Sequence, residues 1–565
     1  MHGQDPVHWQ DWGPEVLRLA QLDNKLIFVS SGYFACHWCH VMQRESYRHA
    51  AIAELLNRRF IPVKVDRELH PALDAQLITF VERTRGAAGW PLNVFLTPEG
   101  DPLAGVTYVP PDQFRDVLLR LVEAWAKDSD ALKDLAQRAA QALSDEGAPP
   151  ATQPEPKALG SLLSNEALRL GDEIEGGFGD RSRFPMIPQL QALLMLQEEQ
   201  PEPRLGALLE LTLDQMAGQG LRDHLGGGFF RYTVDPGWQV PHYEKMLYTN
   251  ALMIQLYLQA ARVLQRPAYL QVARDTVEFS LRELRAPNGG FIASLSAVDA
   301  QGVEGGAYLW TRDELRRLLT DEELEVVQAR WRMHGTPPTE GGYLPVVDKT
   351  IPLVLESTLE SARSKLMRAR SKRALPRDHK ELAAWNGLML SALADAAKAF
   401  REPRYREAGQ ALRGFLITRL WDGERLSRAK GDTGPLGSAA LEDYAYVARG
   451  LTDWARYAES PGDLRLASRL VDDAWTRFYV DGAWRSSDEL VLPRQPGSPG
   501  IEDGPMPSPT AVLIRLSFEM AAELSRPDLG TRARQALELG LGPTAAQPFW
   551  YASHAVLLVS QAQPR

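Results

Sequence analysis

The chain of 565 residues contains two cysteines, and they stand two residues apart in Cys36-His37-Trp38-Cys39. They follow an apolar run at 25–29 and precede a helix-like stretch that begins near residue 41. A C-x-x-C motif at a strand-to-helix junction is typical of a dithiol/disulfide redox site. A helix N-terminus lowers the pKa of a thiol through its unpaired N–H groups and dipole. The sequence therefore predicts Cys36 as the attacking sulfur and Cys39 as the resolving one.

The same block allows three other interpretations. With His40 it reads C-x-x-C-H, which is also the attachment motif of c-type haem, although haem attachment normally requires export. Two Cys and two His supply four possible zinc ligands, although adjacent Cys39 and His40 are poorly placed to share one ion. An inert pair of buried thiols is the simplest alternative. We expect a redox dithiol, flanked by His37 and His40 as possible positive charges, with no metal and no cofactor.

Composition restricts the partners of this protein. The formal net charge is −10 and the isoelectric point is near 5.7, without a block of Lys or Arg. These values argue against nucleic acid or an anionic membrane as a partner. The N-terminus lacks the basic and apolar regions of a secretory signal, and no apolar run approaches the length of a membrane span. We therefore expect a cytoplasmic location.

Two kinds of pattern divide the chain. Up to about residue 130, short buried strands alternate with helices, which predicts an α/β domain. A stretch rich in Pro and Ala follows, and beyond it long segments have the 3.6-residue apolar spacing of helices. We expect a domain with C-x-x-C at 1–145, a linker at 146–158, and a helical domain at 159–565.

Glycine–aromatic turns recur between the predicted helices. The four stronger ones contain Gly177, Gly228, Gly290 and Gly342, and two weaker ones contain Gly423 and Gly482. Six such turns are what six helical hairpins need, because each hairpin repeats as one supersecondary unit. The sequence therefore predicts an all-α (α/α)6 toroid for the second domain.

Several motifs resemble one known family. They include Cys36-His37-Trp38-Cys39-His40-Val41-Met42, Val63-Lys64-Val65-Asp66-Arg67-Glu68 and Gly89-Trp90-Pro91-Leu92. On these blocks the chain resembles the spermatogenesis-associated protein 20 family. The resemblance implies a thioredoxin-like N-terminal domain followed by a six-hairpin barrel similar to glycosidases and sugar epimerases. It covers nearly the whole chain.

The resemblance also implies roles for particular residues. In thioredoxin-like folds a cis-proline lies against the dithiol and the neighbouring backbone binds the substrate. That role falls on Pro91, with Trp90, His37 and Trp38 as further substrate-binding residues. Thioredoxins proper have a buried carboxylate six residues before the first cysteine, whereas this chain has Ser30.

The helical domain offers a second set of candidates. Aromatic rings could stack on a sugar ring while carboxylates and histidines move protons. The expected pocket residues share a place near hairpin turns; they are His224, His242, Glu244, Asp378, Trp385, Asn386 and Asp443.

Three functions follow from these patterns. The first is a thiol–disulfide oxidoreductase or redox-responsive protein with a protein dithiol or disulfide as its partner. The second is a carbohydrate-active enzyme, either epimerase-like or glycosidase-like, with the thioredoxin-like domain as a regulatory part and a small carbohydrate as its partner. The third is a protein that binds a partner without turnover.

Overall fold

The computed structural model describes residues 2–145, 155–348, 356–488, 491–492 and 500–562. Most of the predicted linker, 146–154, lies outside these ranges. The chain divides into two compact units. The first comprises Met1–Ala148, Leu436–Leu441 and Arg477–Gly500, and the second comprises Pro149–Pro435, Glu442–Thr476 and Ile501–Arg565.

The first unit contains a four-stranded sheet with helices on both faces. Its elements are α1 Pro14–Asp23, β1 Leu26–Gly32, α2 His37–Met42, α3 Ala50–Arg59, β2 Phe60–Asp66, α4 Pro71–Arg85, β3 Leu92–Leu96, β4 Pro102–Val106, α5 Pro111–Lys127 and α6 Ser129–Asp145. The strand order is β2-β1-β3-β4, with β1 parallel to β2 and the other two pairs antiparallel. The predicted α/β N-terminal domain is therefore confirmed, and its arrangement is thioredoxin-like.

Strand β1 is buried along its whole length because both of its faces are covered. Ile27 and Val29 belong to a core shared with α1 and α4. Phe28, on the opposite face, packs with the helices α3 and α5. Side chains alternate between the faces of a strand, so Ser30 follows Phe28 and Ser31 follows Val29. This alternation places the two serines at the end of β1 in different surroundings.

A segment late in the sequence completes the core of the first unit. Leu492 is buried in the same cluster as Leu73 and Leu77 of α4. Its backbone N–H donates to Gln76 Oε1 at 3.0 Å. Position along the chain gave no indication that residues 477–500 would group with the N-terminal residues.

The second unit is helical. Its helices are α7 Ala158–Leu170, α8 Ile187–Glu199, α9 Pro203–Gly218, α10 Leu247–Val263, α11 Ala268–Phe279, α12 Arg312–Leu318, α13 Asp321–Arg330, α14 Glu356–Arg370, α15 Ala383–Phe400, α16 Pro403–Phe415, α17 Leu441–Ala458, α18 Pro461–Phe478, α19 Pro509–Glu523, α20 Pro527–Leu539, α21 Leu541–Ala546 and α22 Ala552–Ala562. Its short strands are β5 Lys245–Met246, β6 Ser294–Leu295, β7 Arg377–Asp378, β8 Glu381–Leu382 and β9 Ser427–Lys430. Of the remaining strands, β10 Pro435–Ser438 begins at the last residue of a second-unit segment, and β11 Tyr479–Val480 and β12 Ala483–Trp484 belong to the first unit.

Six of these helices form an inner ring in the order α8, α10, α15, α17, α19 and α22, and α22 returns to contact α8. The helices α15 and α17 approach closely because Gly387 has no side chain; a Cβ there would lie 2.5 Å from the backbone of Tyr446. The outer layer consists of α9, α11, α16, α18 and α20, together with α7, which packs on α22. This arrangement is the predicted (α/α)6 toroid.

One predicted turn does not connect two hairpins of the toroid, as the repeat had indicated. Helices α12 to α14 form an insertion between α11 and α15 with its own hydrophobic core. The turn Gly341-Gly342-Tyr343 belongs to this insertion, where Tyr343 bridges Trp310. The sixth hairpin is completed instead by pairing of the first helix of the unit, α7, with the last, α22. Such a long-range pairing leaves no local signal in the sequence.

Candidate functional site

The two cysteines form a disulfide at the N-terminus of α2. Their Cα atoms are 5.3 Å apart. Cys36 is the N-cap residue, and its Sγ accepts a hydrogen bond of 3.1 Å from the backbone N–H of Cys39. The exposed fractions are only 3% for Cys36 and 2% for Cys39. The helix begins at residue 37, four residues earlier than expected, because Cys36 itself caps it.

An aromatic surface stands beside the disulfide. Trp38 is 45% exposed, and its ring centroid lies 4.8 Å from that of Tyr108. The Tyr108 hydroxyl donates to Glu45 Oε2 at 2.6 Å, and this bond raises the pKa of Tyr108 to about 12. Trp38 therefore presents a large apolar face to solvent next to the sulfur atoms, as a peptide-docking surface requires.

The structure places Pro91 near the disulfide through the sheet register. Ser31 of β1 pairs with Leu92 of β3, so the next positions, Gly32 and Pro91, lie at the same end of the two strands. Gly32 adjoins the disulfide, since a Cβ at this position would lie 2.9 Å from Cys39 Sγ. The Trp90–Pro91 peptide bond is cis, as the resemblance implied.

Trp90 is held by a buried carboxylate that sequence reasoning missed. Its Nε1 donates to Asp74 Oδ1 at 3.0 Å, and Ser31 Oγ donates to the same oxygen at 2.6 Å. Arg67 donates to Asp74 Oδ2 at 3.2 Å and its guanidinium lies 3.9 Å from the centroid of the Trp90 ring. Asp74 lies in the first turn of α4, where an acid is unremarkable in sequence.

Ser30 takes part in a buried hydrogen-bonded chain on the other face of β1. Lys64 Nζ, which the register places opposite, donates to Ser30 Oγ at 2.9 Å. Ser30 bonds the Tyr47 hydroxyl at 2.8 Å, and Tyr47 donates to Asn93 Oδ1 at 2.7 Å. Burial lowers the pKa of Lys64 to about 8 against the opposing effect of Asp5 and Asp66. An amine thus occupies the neighbourhood where thioredoxins proper have a carboxylate.

The environment of His40 differs from the expectation that this residue carries a positive charge. His40 Nε2 bonds the carbonyl oxygen of Phe34 at 2.8 Å. Burial lowers the pKa of His40 below its ordinary value, and nearby Arg44 and His37 act in the same direction. His40 is therefore neutral at pH 7 and is a poor source of positive charge for the thiolate. His37 lies beside Trp38, with ring centroids 5.3 Å apart.

In the helical unit, the structure brings two of the predicted pocket residues together. His242 Nδ1 lies 2.6 Å from Glu304 Oε1, and its Nε2 lies 4.0 Å from Glu244 Oε1. Burial lowers the pKa of His242, but the two carboxylates more than compensate, and the net pKa is raised. Arg231 lies 3.4 Å from Glu244. A buried imidazole between two carboxylates has the chemistry to take up or release a proton.

Trp385 is connected to this cluster by one residue. Arg231 Nε donates to the Tyr248 hydroxyl at 3.1 Å, and the Tyr248 ring lies 4.9 Å from that of Trp385. The indole Nε1 of Trp385 is buried and makes no hydrogen bond to any described residue. His242, Glu244 and Trp385 therefore belong to one contiguous cluster.

The other four predicted residues bind nearby backbone or a counter-ion. Asn386 accepts from Phe291 N–H at 2.8 Å and donates to its carbonyl oxygen at 2.9 Å. Asp443 accepts from Ala384 N–H and from Arg428, both at 2.9 Å. Asp378 Oδ2 forms an ion pair with Lys380 Nζ at 3.3 Å. His224 Nε2 bonds the carbonyl oxygen of Gln219 at 3.0 Å.

Asn250 and Asn386 make the same kind of hydrogen bonds to a glycine–aromatic turn. Asn250 occupies the same place in α10 that Asn386 has in α15, the fourth residue of an inner helix. It bonds both the N–H and the carbonyl oxygen of Phe229. Each asparagine thus clamps a glycine–aromatic turn, which gives the repeated motif a structural reason.

A buried ion-pair cluster was also missed. Asp223 Oδ2 lies 2.6 Å from Lys245 Nζ and 2.6 Å from an Arg370 nitrogen. Burial alone would raise the pKa of Asp223, but the two cations overcome this and hold the pKa far below its usual range. Lys245 is surrounded by the rings of Phe230, Phe279 and Tyr308.

Two absences apply to the described ranges. They contain no helix whose length and apolar character would suit a membrane span. They also contain no group of three or more His, Cys, Asp or Glu side chains arranged to hold a metal ion.

Comparisons with known proteins bear on both units. Residues 1–144 match the model of the thioredoxin-like DsbH family, described as a protein of unknown function, DUF255. Among solved structures, cellobiose 2-epimerase from Spirochaeta thermophila has a TM-score of 0.47 and 14% identity over 73% of this chain and 98% of its own. A D-mannose isomerase has a TM-score of 0.48 and 10% sequence identity. This match covers 74% of the present chain and all of the isomerase chain.

Sequence relatives extend over both units. Spermatogenesis-associated protein 20 of Homo sapiens is 35% identical over 591 residues, which cover 91% of this chain and 74% of the relative. The protein of the same name from Rattus norvegicus is 34% identical over the same shares. At this identity, over nearly the whole chain and about three quarters of each relative, the protein belongs to the spermatogenesis-associated protein 20 family.

Proposed function

We propose that this protein is a thiol–disulfide oxidoreductase that exchanges its Cys36–Cys39 disulfide with a protein dithiol. The observation that carries the proposal is the N-terminal position of Cys36 on α2, with the Cys39 N–H directed at its sulfur. In the reduced protein the same N–H group and the helix dipole would stabilise a Cys36 thiolate. A thiolate at neutral pH is what exchange requires.

The exchange balances without a further reactant. A substrate thiolate attacks Cys36 Sγ, the bond between Cys36 and Cys39 breaks, and Cys39 leaves as a thiolate that takes up a proton. The second substrate thiol, after losing its proton, attacks the mixed disulfide and releases Cys36 as a thiolate. The substrate loses two electrons and the protein gains them. The reduced protein would carry out the reverse reaction on a substrate disulfide.

The substrate chain would dock on the surface formed by Trp38 and the Trp90–Pro91 peptide. Trp38 supplies an exposed ring beside the buried sulfur atoms. Trp90 is fixed by its hydrogen bond to Asp74 and by the Arg67 guanidinium. A rigid aromatic group loses little conformational entropy when a peptide binds, which favours this position for recognition.

Trapping tests the proposal with a matched pair of variants. In Cys39→Ser, Cys36 should react with oxidised glutathione at pH 7 faster than the cysteine of an unstructured peptide, and the mixed disulfide should persist. In Cys36→Ser, Cys39 should react slowly because it lies inside the helix and is buried. Mass spectrometry under non-reducing conditions measures both rates. The proposal would be refuted if Cys36 reacts no faster than the cysteine of the peptide.

A second candidate function rests on the His242 cluster. The raised pKa of His242 and its position between Glu244 and Glu304 suit a residue that transfers a proton to a bound carbohydrate. Sugar turnover that survives Cys36→Ser but is lost in His242→Ala and Glu244→Gln would favour this function. Sugar turnover that is unchanged in His242→Ala would exclude it.

A further inference from the structure

The interior of the toroid contains a cavity that the dithiol chemistry does not use. Its volume is about 320 Å³, and residues from all six inner helices line it. This value lies at the lower end of the range for small-molecule sites. The lining combines apolar side chains such as Met195 with the polar groups of Ser391, Asp395 and Arg515.

Arg515 lacks an acidic partner. Within the part of the chain that the structure describes, its guanidinium donates hydrogen bonds only to the Met195 sulfur, at 3.8 and 4.0 Å, and forms no ion pair. Burial and the neighbouring Arg449 lower its pKa, while Glu519 and Asp453 act in the opposite direction without an ion-pair contact. A guanidinium has five N–H donors, and a poorly solvated cation without a counter-ion is costly.

Arg449 shows why the nearby carboxylates do not serve Arg515. One Arg449 nitrogen donates to both oxygens of Glu519 at 3.0 Å. Its Nε donates to Asp453 Oδ2 at 2.9 Å. The two acids that attract Arg515 electrostatically are therefore already engaged by a different arginine, and Arg515 lines the cavity without an ion-pair partner among the described residues.

A second group in the cavity lacks a partner as well. Ser391 is 1% exposed, and its hydroxyl makes no hydrogen bond to any described residue. Asp395 lies one turn further along α15 and accepts a hydrogen bond of 3.1 Å from Gln255. Buried hydroxyls almost always have a partner, so the Ser391 hydroxyl is available to a group that enters the cavity.

We propose that this cavity binds a small polyhydroxylated anion, with the anionic group on Arg515 and ligand hydroxyls on Ser391 and Asp395. A carboxylate or a phosphate would satisfy the guanidinium through two parallel hydrogen bonds. A carboxylate beside an amide and a hydroxyl is a usual arrangement for binding sugar hydroxyls, since it accepts while Gln255 donates. A purely hydrophobic ligand would leave Arg515, Ser391 and Asp395 without ligand partners in the cavity, which is unfavourable.

Calorimetric titration of the full chain tests the proposal with four probes: D-glucuronate, D-glucose 6-phosphate, D-glucose and inorganic phosphate. At least one of the two sugar anions should bind more tightly than both glucose and phosphate. The stronger of the two identifies the anionic group as carboxylate or phosphate. The proposal would be overturned if neither sugar anion binds. It would also be overturned if inorganic phosphate binds as tightly as the sugar anions.

Variants assign the binding to the cavity. Arg515→Met should lower the affinity for the sugar anion by roughly tenfold to a hundredfold, because a hydrogen-bonded charge pair is lost. Arg515→Lys should restore part of the affinity. Arg404→Met, which removes an exposed arginine of the outer helix α16, is the matched control and should bind normally. Unchanged affinity in Arg515→Met would contradict the assignment.

Stability without ligand separates a binding role from a structural one. Arg515→Met removes a cation that has no counter-ion, so its melting temperature should equal or exceed that of the wild-type protein. A lower melting temperature would give Arg515 a structural role and count against the proposal. If Arg515→Met fails to fold, Ser391→Ala decides, since weaker anion binding supports the site and unchanged binding refutes it. None of these outcomes depends on Cys36.

Discussion

The dithiol site of the first unit and the cavity of the toroid differ in how far their polar groups are satisfied. At the dithiol site, Asp74 accepts from three side chains, and Lys64, Ser30 and Tyr47 form a continuous hydrogen-bonded chain. In the cavity, Arg515 bonds only the Met195 sulfur, and the Ser391 hydroxyl makes no hydrogen bond to any described residue. The first arrangement is complete without a ligand, whereas the second is not.

The difference teaches how each site would work. A redox site needs its geometry fixed before the partner arrives, since the reacting atoms belong to the protein itself. A binding site gains affinity when the ligand supplies bonds that the empty protein lacks. Removal of a group whose hydrogen bonds and charge are both satisfied should therefore destabilise the fold, and removal of a group whose hydrogen bonds or charge are not satisfied should not. The following substitutions test that distinction in order of decreasing effect.

Asp223→Asn should have the largest effect. It leaves Lys245 and Arg370 as buried cations with a weaker acceptor, which costs roughly 3–5 kcal/mol. Hydrogen exchange measured by mass spectrometry should show faster exchange in the helical unit, with the first unit as internal reference. Equal protection in the Asp223→Asn variant and the wild-type protein would mean that the buried acid is dispensable.

Asp74→Ala should destabilise the first unit by about 2–3 kcal/mol, because Ser31 and Trp90 lose their acceptor. Asp74→Asn is the matched control; it keeps one acceptor oxygen and should cost less. Hydrogen exchange of peptides from β1 and α4 measures both. If the alanine and asparagine variants behave alike, the hydrogen bonds to Asp74 contribute little.

Asp395→Asn should stabilise the toroid, in contrast to the first two substitutions. Burial and the nearby Asp453 raise the pKa of Asp395 to about 6, above its ordinary value of 3.8. The carboxyl group is thus favoured in its neutral form, and the native state loses stability as the pH rises from about 4 through 6. We expect a gain of about 1–2 kcal/mol at pH 7 and almost none at pH 4. Thermal melts at the two pH values test this; a gain that is the same at both would refute the pKa argument.

Lys64→Met should have the smallest effect at pH 7, since loss of the bond to Ser30 offsets relief of the buried charge. Burial depresses the pKa of Lys64 to about 8, so the protonated amine weakens the native state below that pH. Wild-type stability should therefore rise relative to the variant between pH 8 and 10.5. Denaturant melts over this range provide the measurement. A stability difference that stays constant from about pH 7 to 10.5 would show that Lys64 does not titrate there.

Local sequence was sufficient for the redox motif and for the overall architecture. The spacing of Cys36 and Cys39 and their place between a strand and a helix depend on neighbouring residues, which sequence displays directly. The toroid was predictable because glycine–aromatic turns recur between most of its hairpins. For the same reason Asn386 was noticed as part of a motif, although its side chain serves the turn of Phe291.

Residues that meet only in three dimensions were beyond sequence reasoning. Asp74 holds Trp90 from another helix, and Lys64 reaches Ser30 through parallel strand pairing. Leu492 completes the core of a unit that begins at the N-terminus. Such contacts depend on register and packing, which leave no periodic signal along the chain.

The sequence by itself determined the dithiol, its attachment to a helix, and the two classes of fold, because these follow from short-range spacing and hydrophobic period. Only the tertiary structure decided which polar groups are satisfied. It showed that His40 is buried and bonded to a carbonyl oxygen, and that Arg515 faces a cavity while Arg449 takes the available acids. Whether a charge has a partner depends on all the elements packed around it, and that information exists only after the chain has folded.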